Sequence, residues 1–71
     1  MNKFDKNNAE IGERIKEIRE EKGISQYRLA QLTGINRSTI KRYEEGTIKK
    51  ISLDNLMKIC NALGADVKEI I

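Results

Sequence analysis

Apolar residues recur along this chain at helical spacing, and glycines or capping residues interrupt the recurrence where a helix would have to stop. Ile11, Ile15 and Ile18 follow i, i+4, i+7 and predict a first helix from about Asn8 to Lys22, capped by Asn7 or Asn8 and stopped by Gly23. Around that stripe, Glu13, Arg14, Lys16, Glu17, Glu20 and Glu21 form a solvated face. The Glu13–Glu17 and Glu17–Glu21 repulsions on it are eased by Arg14 and Lys16. Ser25 caps a shorter second helix, Gln26 to Thr33, with Leu29, Ala30 and Leu32 inward. Gly34 is placed for a left-handed turn, Ile35 plugs the corner, and Asn36 opens a third helix that Gly46 ends. Ser52 caps a fourth helix, Leu53 to Leu63, with Leu53, Leu56, Met57, Cys60 and Leu63 inward and Gly64 as its stop. Asp66 and Glu69 make a D-x-x-E capping arrangement for a last helix, Val67–Ile71, which must dock to be stable. Val67 finishes the core; Ile70 and Ile71 either pack on the same domain or form a dimer contact.

The expected architecture is therefore all-α, a compact five-helix bundle over residues 8–71. Residues 1–7, polar and without periodicity, are expected to be a flexible arm in which Phe4 can tuck against the domain.

With 71 residues, 38% hydrophobic and 35% charged, the chain has the composition of one small globular domain. It contains no His, Pro or Trp. Lacking His, it lacks the commonest acid–base catalyst and metal ligand. Cys60, the one cysteine, can form neither an intrachain disulfide nor a Cys-rich zinc site, and reads as a small buried hydrophobe. No paired-carboxylate signature or phosphate-cradling Gly loop is present, so neither an enzyme nor a metal or other cofactor is expected. No apolar run approaches the ~20 residues of a membrane span, and the N-terminus lacks the apolar centre of a signal peptide; a cytoplasmic location is expected.

Where the charge lies changes the picture more than its total. The net charge is +3. Residues 36–50 alone carry five cations, Arg37, Lys41, Arg42, Lys49 and Lys50, against two carboxylates, Glu44 and Glu45. At roughly 100° per residue the third helix has an apolar back, Ile40 and Tyr43, and a front of Ser38 and Arg42 flanked by Arg37 and Lys41. Such a front suits a DNA groove, offering cations to phosphates and forked donors to guanine edges. A solvated basic surface is the alternative reading of the same residues. The preceding turn argues for the groove, because two helices joined by a short turn containing Gly form a helix-turn-helix.

The run Ser25-Gln26-Tyr27-Arg28-Leu29-Ala30-Gln31-Leu32-Thr33-Gly34-Ile35-Asn36-Arg37-Ser38-Thr39-Ile40-Lys41-Arg42-Tyr43-Glu44-Glu45-Gly46 closely resembles the helix-turn-helix of the lambda-repressor/Cro-type family, the XRE family. The resemblance extends back through Ile15, Arg19 and Gly23 and forward through Leu53, Leu56, Ile59, Cys60, Leu63 and Gly64, so it covers roughly residues 11–71. It implies sequence-specific binding of double-stranded DNA and transcriptional regulation. The simplest form is repression by a homodimer on a palindromic operator, with recognition helices in successive major grooves about 34–36 Å apart.

Family positions that read base edges fall here on Arg37, Ser38 and Arg42, with Lys41 beside them. The basic residues can instead bind only phosphates, with specificity coming from DNA shape. The resemblance gives Gln26 a phosphate at the second helix N-terminus, and Thr47, Lys49 and Lys50 phosphates from the following loop. Tyr27, Asn36 and Thr39 are further candidate phosphate contacts; Thr39 can also meet a thymine methyl. Lys3 and Lys6 of the arm can touch phosphates too. The resemblance also implies a structural ion pair between Arg19 and Glu44. Ile48 has no obvious buried position.

Rival readings remain within the resemblance. They are a phage or mobile-element repressor, a restriction–modification controller, an antitoxin with a toxin partner, and a protein-interaction module that keeps the fold without DNA binding.

Overall fold

The computed structural model describes residues 8–48 and 50–71. Four α-helices follow one another, α1 (Asn8–Glu21), α2 (Gln26–Thr33), α3 (Arg37–Glu45) and α4 (Leu53–Leu63), and a single 3-10 turn, Val67–Glu69, comes after them. The caps are those the sequence provides. The Ser25 hydroxyl accepts from the Arg28 N–H at 3.0 Å, and the Ser52 hydroxyl accepts from the Asn55 N–H at 3.1 Å. Each such bond satisfies a donor that the helix itself leaves open and contributes about 1 kcal/mol.

The core joins all four helices. Ile15 and Ile18 of α1, Leu29 of α2, Ile40 and Tyr43 of α3, and Leu56, Ile59, Cys60 and Leu63 of α4 are buried together with Ile35 and Ile70. α1 and α3 make the closest contact. Gly12 sits so near the Tyr43 carbonyl oxygen that a Cβ at this position would overlap it. The Tyr43 hydroxyl accepts a 2.8 Å hydrogen bond from the Asn55 side-chain amide, which ties α3 to α4. α3 is thus held against backbone on one side and by a hydrogen bond on the other.

Several expectations are corrected. The bundle has four helices among the described residues, not five. Residues 67–69 close i→i+3 bonds, Glu69 N–H to Asp66 C=O at 2.8 Å and Ile70 N–H to Val67 C=O at 3.1 Å, and make one tight turn. The Asp66 carboxylate does cap it, accepting from the Lys68 N–H at 3.0 Å, but a capping signature marks a start and carries no length. Ile70 is fully buried in the chain's own core, so it is not a dimer contact; Ile71 beside it is 47% exposed. The Arg14 side chain draws this turn onto α1 by donating to the Glu69 carbonyl at 2.9 Å.

On α4, Leu53 and Met57 are 70% and 43% exposed rather than inward, and Ile59 is fully buried. The apolar stripe of α4 is wider than the face that packs, and the packed half centres on Leu56, Ile59, Cys60 and Leu63. Leu32, at 45% exposed, likewise lies outside the core, whereas Ile48 packs against it. The expectations for the arm at residues 1–7 and for Lys49 lie outside the described residues.

Candidate nucleic-acid interface

The turn that sets α3 on α2 is closed by local hydrogen bonds. Gly34 takes a φ of 74° and donates its N–H to the Ala30 carbonyl at 2.8 Å. A side chain in that conformation costs roughly 1–2 kcal/mol, which glycine avoids. The Thr33 hydroxyl donates to the Leu29 carbonyl at 2.7 Å and accepts from the Ile35 N–H at 3.1 Å. Ile35 is thereby turned inward, and α3 begins from a fixed point.

α3 itself is divided cleanly. Ile40, Tyr43 and Glu44 are buried, Thr39 is half-buried, and Arg37, Ser38, Lys41 and Arg42 are exposed. Among the described residues no carboxylate forms an ion pair with Arg37, Lys41 or Arg42. Their charge faces water and is available to an anion. The order of polar and apolar residues along nine positions, wound at 3.6 residues per turn, accounts for this division.

Behind the exposed face lies a buried cluster of charge. The Arg19 guanidinium donates from Nε to Glu44 Oε2 at 2.7 Å and from Nη2 to Glu44 Oε1 at 2.9 Å, while Nη1 donates to the Ile24 carbonyl at 2.8 Å. Only 8% of Arg19 and 9% of Glu44 is exposed. The hydrogen bond to Glu44 holds the Arg19 pKa above its ordinary value, against the opposing effect of desolvation. The pair expected from the resemblance is therefore present, and it is two-pronged.

The sequence did not point to a third member. The Gln26 side-chain amide donates to Glu44 Oε1 at 3.0 Å. Gln26 thus stands at the α2 N-terminus with one amide N–H anchored and a second left to give. The expectation of a surface phosphate contact missed this anchor, because no local spacing links residues 26 and 44. Only the pairing of residues 19 and 44 hinted that a carboxylate lay near.

The remaining candidates are distributed as follows. Tyr27 is 59% exposed in the first turn of α2, close along the chain to Gln26. Asn36 is exposed, and its side-chain oxygen accepts from both the Ser38 N–H at 2.9 Å and the Ser38 hydroxyl at 2.6 Å. Thr47 is exposed, but its N–H and hydroxyl both donate to the Arg42 carbonyl, at 3.0 and 3.3 Å. Its hydroxyl therefore closes the C-terminus of α3. Lys50 is exposed in the following loop. No helix among the described residues is long and apolar enough to cross a membrane.

Comparison with known proteins bears directly on this surface. Residues 14–71 match the model of the Cro/C1-type HTH DNA-binding domain. The chain is 38% identical over 62 residues to the control protein C.BamHI of Bacillus amyloliquefaciens, a match covering 86% of this chain and 75% of that one. It is 43% identical over 54 residues to YonR, an SPbeta prophage-derived HTH-type transcriptional regulator of Bacillus subtilis, covering 76% of this chain. An HTH-type transcriptional regulatory protein assigned in Archaeoglobus fulgidus is 42% identical over 59 residues, or 82% of this chain. The chain spans only 49% of the length of the prophage relative and 18% of the archaeal one.

Among solved structures, the restriction–modification controller protein C.AhdI of Aeromonas hydrophila superposes with a TM-score of 0.85 at 36% identity, over 90% of this chain and 96% of that one. The biofilm master regulator SinR, solved in complex with DNA, superposes with a TM-score of 0.77 at 35% identity, over 80% of this chain and 90% of that one.

Proposed function

The chain belongs to the Cro/C1-type helix-turn-helix DNA-binding family, and on that premise we propose that it is a sequence-specific transcriptional regulator acting as a homodimer on a palindromic operator in double-stranded DNA. One observation carries the reading: Arg37, Ser38, Lys41 and Arg42 all face solvent on one side of α3 while its other side is buried. Arg37 and Arg42 supply planar forks that can bond two acceptors of a guanine, Lys41 adds a point charge, and Ser38 a hydroxyl. Gln26, Tyr27, Asn36 and Thr39 approach the backbone from the helix N-termini and the edge of α3. Lys50 approaches it from the loop after α3, with Thr47 shaping that loop; Lys49 is, by its sequence, a further candidate cation. Phosphate contacts of this kind set register and orientation, and base contacts set the choice of site.

Repression follows most simply, since a dimer seated on a promoter excludes polymerase. The likeness to C.AhdI and C.BamHI supports a second reading on the same fold, a restriction–modification controller. Both readings require DNA binding and differ in what the operator governs.

Selection of bound sequences from a random duplex pool tests the proposal. A two-fold symmetric motif with half-sites about one helical turn apart is expected. An enriched pool with no shared motif, or failure to retain any duplex at low ionic strength, refutes it.

A further inference from the structure

Ser38 is the least informative of the four exposed residues as a residue type, because a hydroxyl can both donate and accept. Its setting here removes that ambiguity. The Asn36 side chain presents one atom to Ser38, and the Ser38 backbone N–H lies 2.9 Å from it. A backbone N–H can only donate, so that atom is the amide oxygen. The Ser38 hydroxyl lies 2.6 Å from the same oxygen. Two oxygens at that distance, one of them an amide carbonyl with no proton, require the hydroxyl hydrogen to lie between them. The proton of Ser38 therefore points back at the helix cap, and the lone pairs of its oxygen are what the exposed side chain presents.

We propose that Ser38 acts as a hydrogen-bond acceptor only and reads an exocyclic amine in the major groove, N6 of adenine or N4 of cytosine, on the strand it faces. These are the only donors that bases offer there; guanine N7 and O6 and thymine O4 are acceptors. A lone pair aimed at one of them would repel it. The inference rests on the DNA-binding reading above and deepens it, since it assigns a chemical preference to one position. Asn36 becomes a positioning residue for that contact: it caps α3 and also sets which hydrogen-bonding role Ser38 can take.

The test uses the selected operator and the position at which Ser38→Ala relaxes base choice. There, adenine is replaced by purine, or cytosine by 2-pyrimidinone, which deletes only the exocyclic amine. Amine deletion is expected to weaken wild-type binding roughly three- to tenfold, to match the loss caused by Ser38→Ala, and to add little to it in the variant. Replacement of N7 by carbon in an adenine at that position is expected to leave affinity unchanged. Asn36→Gly leaves a tolerated N-cap but removes the acceptor, and is expected to lose the amine requirement while α3 still forms, which separates hydroxyl orientation from capping.

The inference is overturned if the position faced by Ser38 proves to be guanine or thymine, if loss of N7 weakens binding, or if the amine deletion and Ser38→Ala effects simply add. In each of those cases a specific operator still exists and the DNA-binding reading stands. Absence of any preferred duplex would instead overturn both.

Discussion

Arg19 and Glu44 face each other through two parallel hydrogen bonds, 2.7 and 2.9 Å long, between the last turn of α1 and the end of α3. Truncating one partner leaves the other charge buried and unpaired, a loss of about 3–5 kcal/mol. Arg19→Ala is expected to lower folding stability by that much and so to bring down the denaturant midpoint, with Arg19→Lys also damaging because an ammonium cannot occupy both bonds. Folded-state pKa elevation makes the arginine's contribution fully present below its unfolded pKa and lost only as pH rises through the folded one. Protonation of Arg19 therefore adds no pH dependence between about pH 6 and 9. Urea melts of the variants check the loss; an unchanged midpoint would reduce the pair to surface decoration.

Ile70 should behave as a core residue. Ile70→Ala is expected to cost about 2–5 kcal/mol of folding stability at any protein concentration, while Ile71→Ser costs under about 0.5. Melts over a hundredfold range of concentration decide it. A loss that vanishes on dilution would return Ile70 to an interface between subunits.

Burial raises the Cys60 thiol pKa above its ordinary value, and the nearby carboxylates of Asp66 and Glu69 push it the same way. The neutral thiol is favoured in the folded state, so its stability contribution is complete below the unfolded value of 9.0 and declines as pH rises through the folded one. Relative to Cys60→Ala, the wild-type chain should lose stability only above that pH. Parallel melts across the alkaline range test this; a constant difference between the two proteins would disprove it.

Arg37 and Lys50 should separate by kind. Arg37→Ala is expected to cost about 1–3 kcal/mol on the operator, to relax one base position, and to affect random duplex much less. Lys50→Ala should weaken both duplexes alike and reduce the salt slope by about one phosphate equivalent. Titrations at several salt concentrations distinguish them, and equal Arg37→Ala losses on operator and random DNA would remove it from base reading.

Much of this molecule was legible in the order of its residues, for reasons that differ by element. Local signals carried α2 and α3: Ser25, Gly34, Asn36 and Gly46 each act through bonds within a few residues, so the helix limits follow from them. The exposed quartet on α3 followed from period alone. What depended on distant partners was harder to read. Leu53 and Met57 belong to the same wide apolar stripe as Leu56, and only the packing of α4 selects which half is covered. The turn after α4 could not be distinguished from a helix, because its cap carries no length, and the bond that docks it comes from Arg14, 55 residues away from Glu69 along the chain. Nor could residue type reveal that the Thr47 and Ser38 protons are already engaged.

Gly12 has a consequence for how the reading face can vary. Where it meets Tyr43, the two helices touch main chain to main chain, so the tilt of α3 does not depend on the size of any side chain at that crossing. Residues on the outer surface can then be exchanged without tipping the rod that bears them. A library randomised at Arg37, Ser38, Lys41 and Arg42 should yield proteins with new tastes in DNA and an old, unaltered posture.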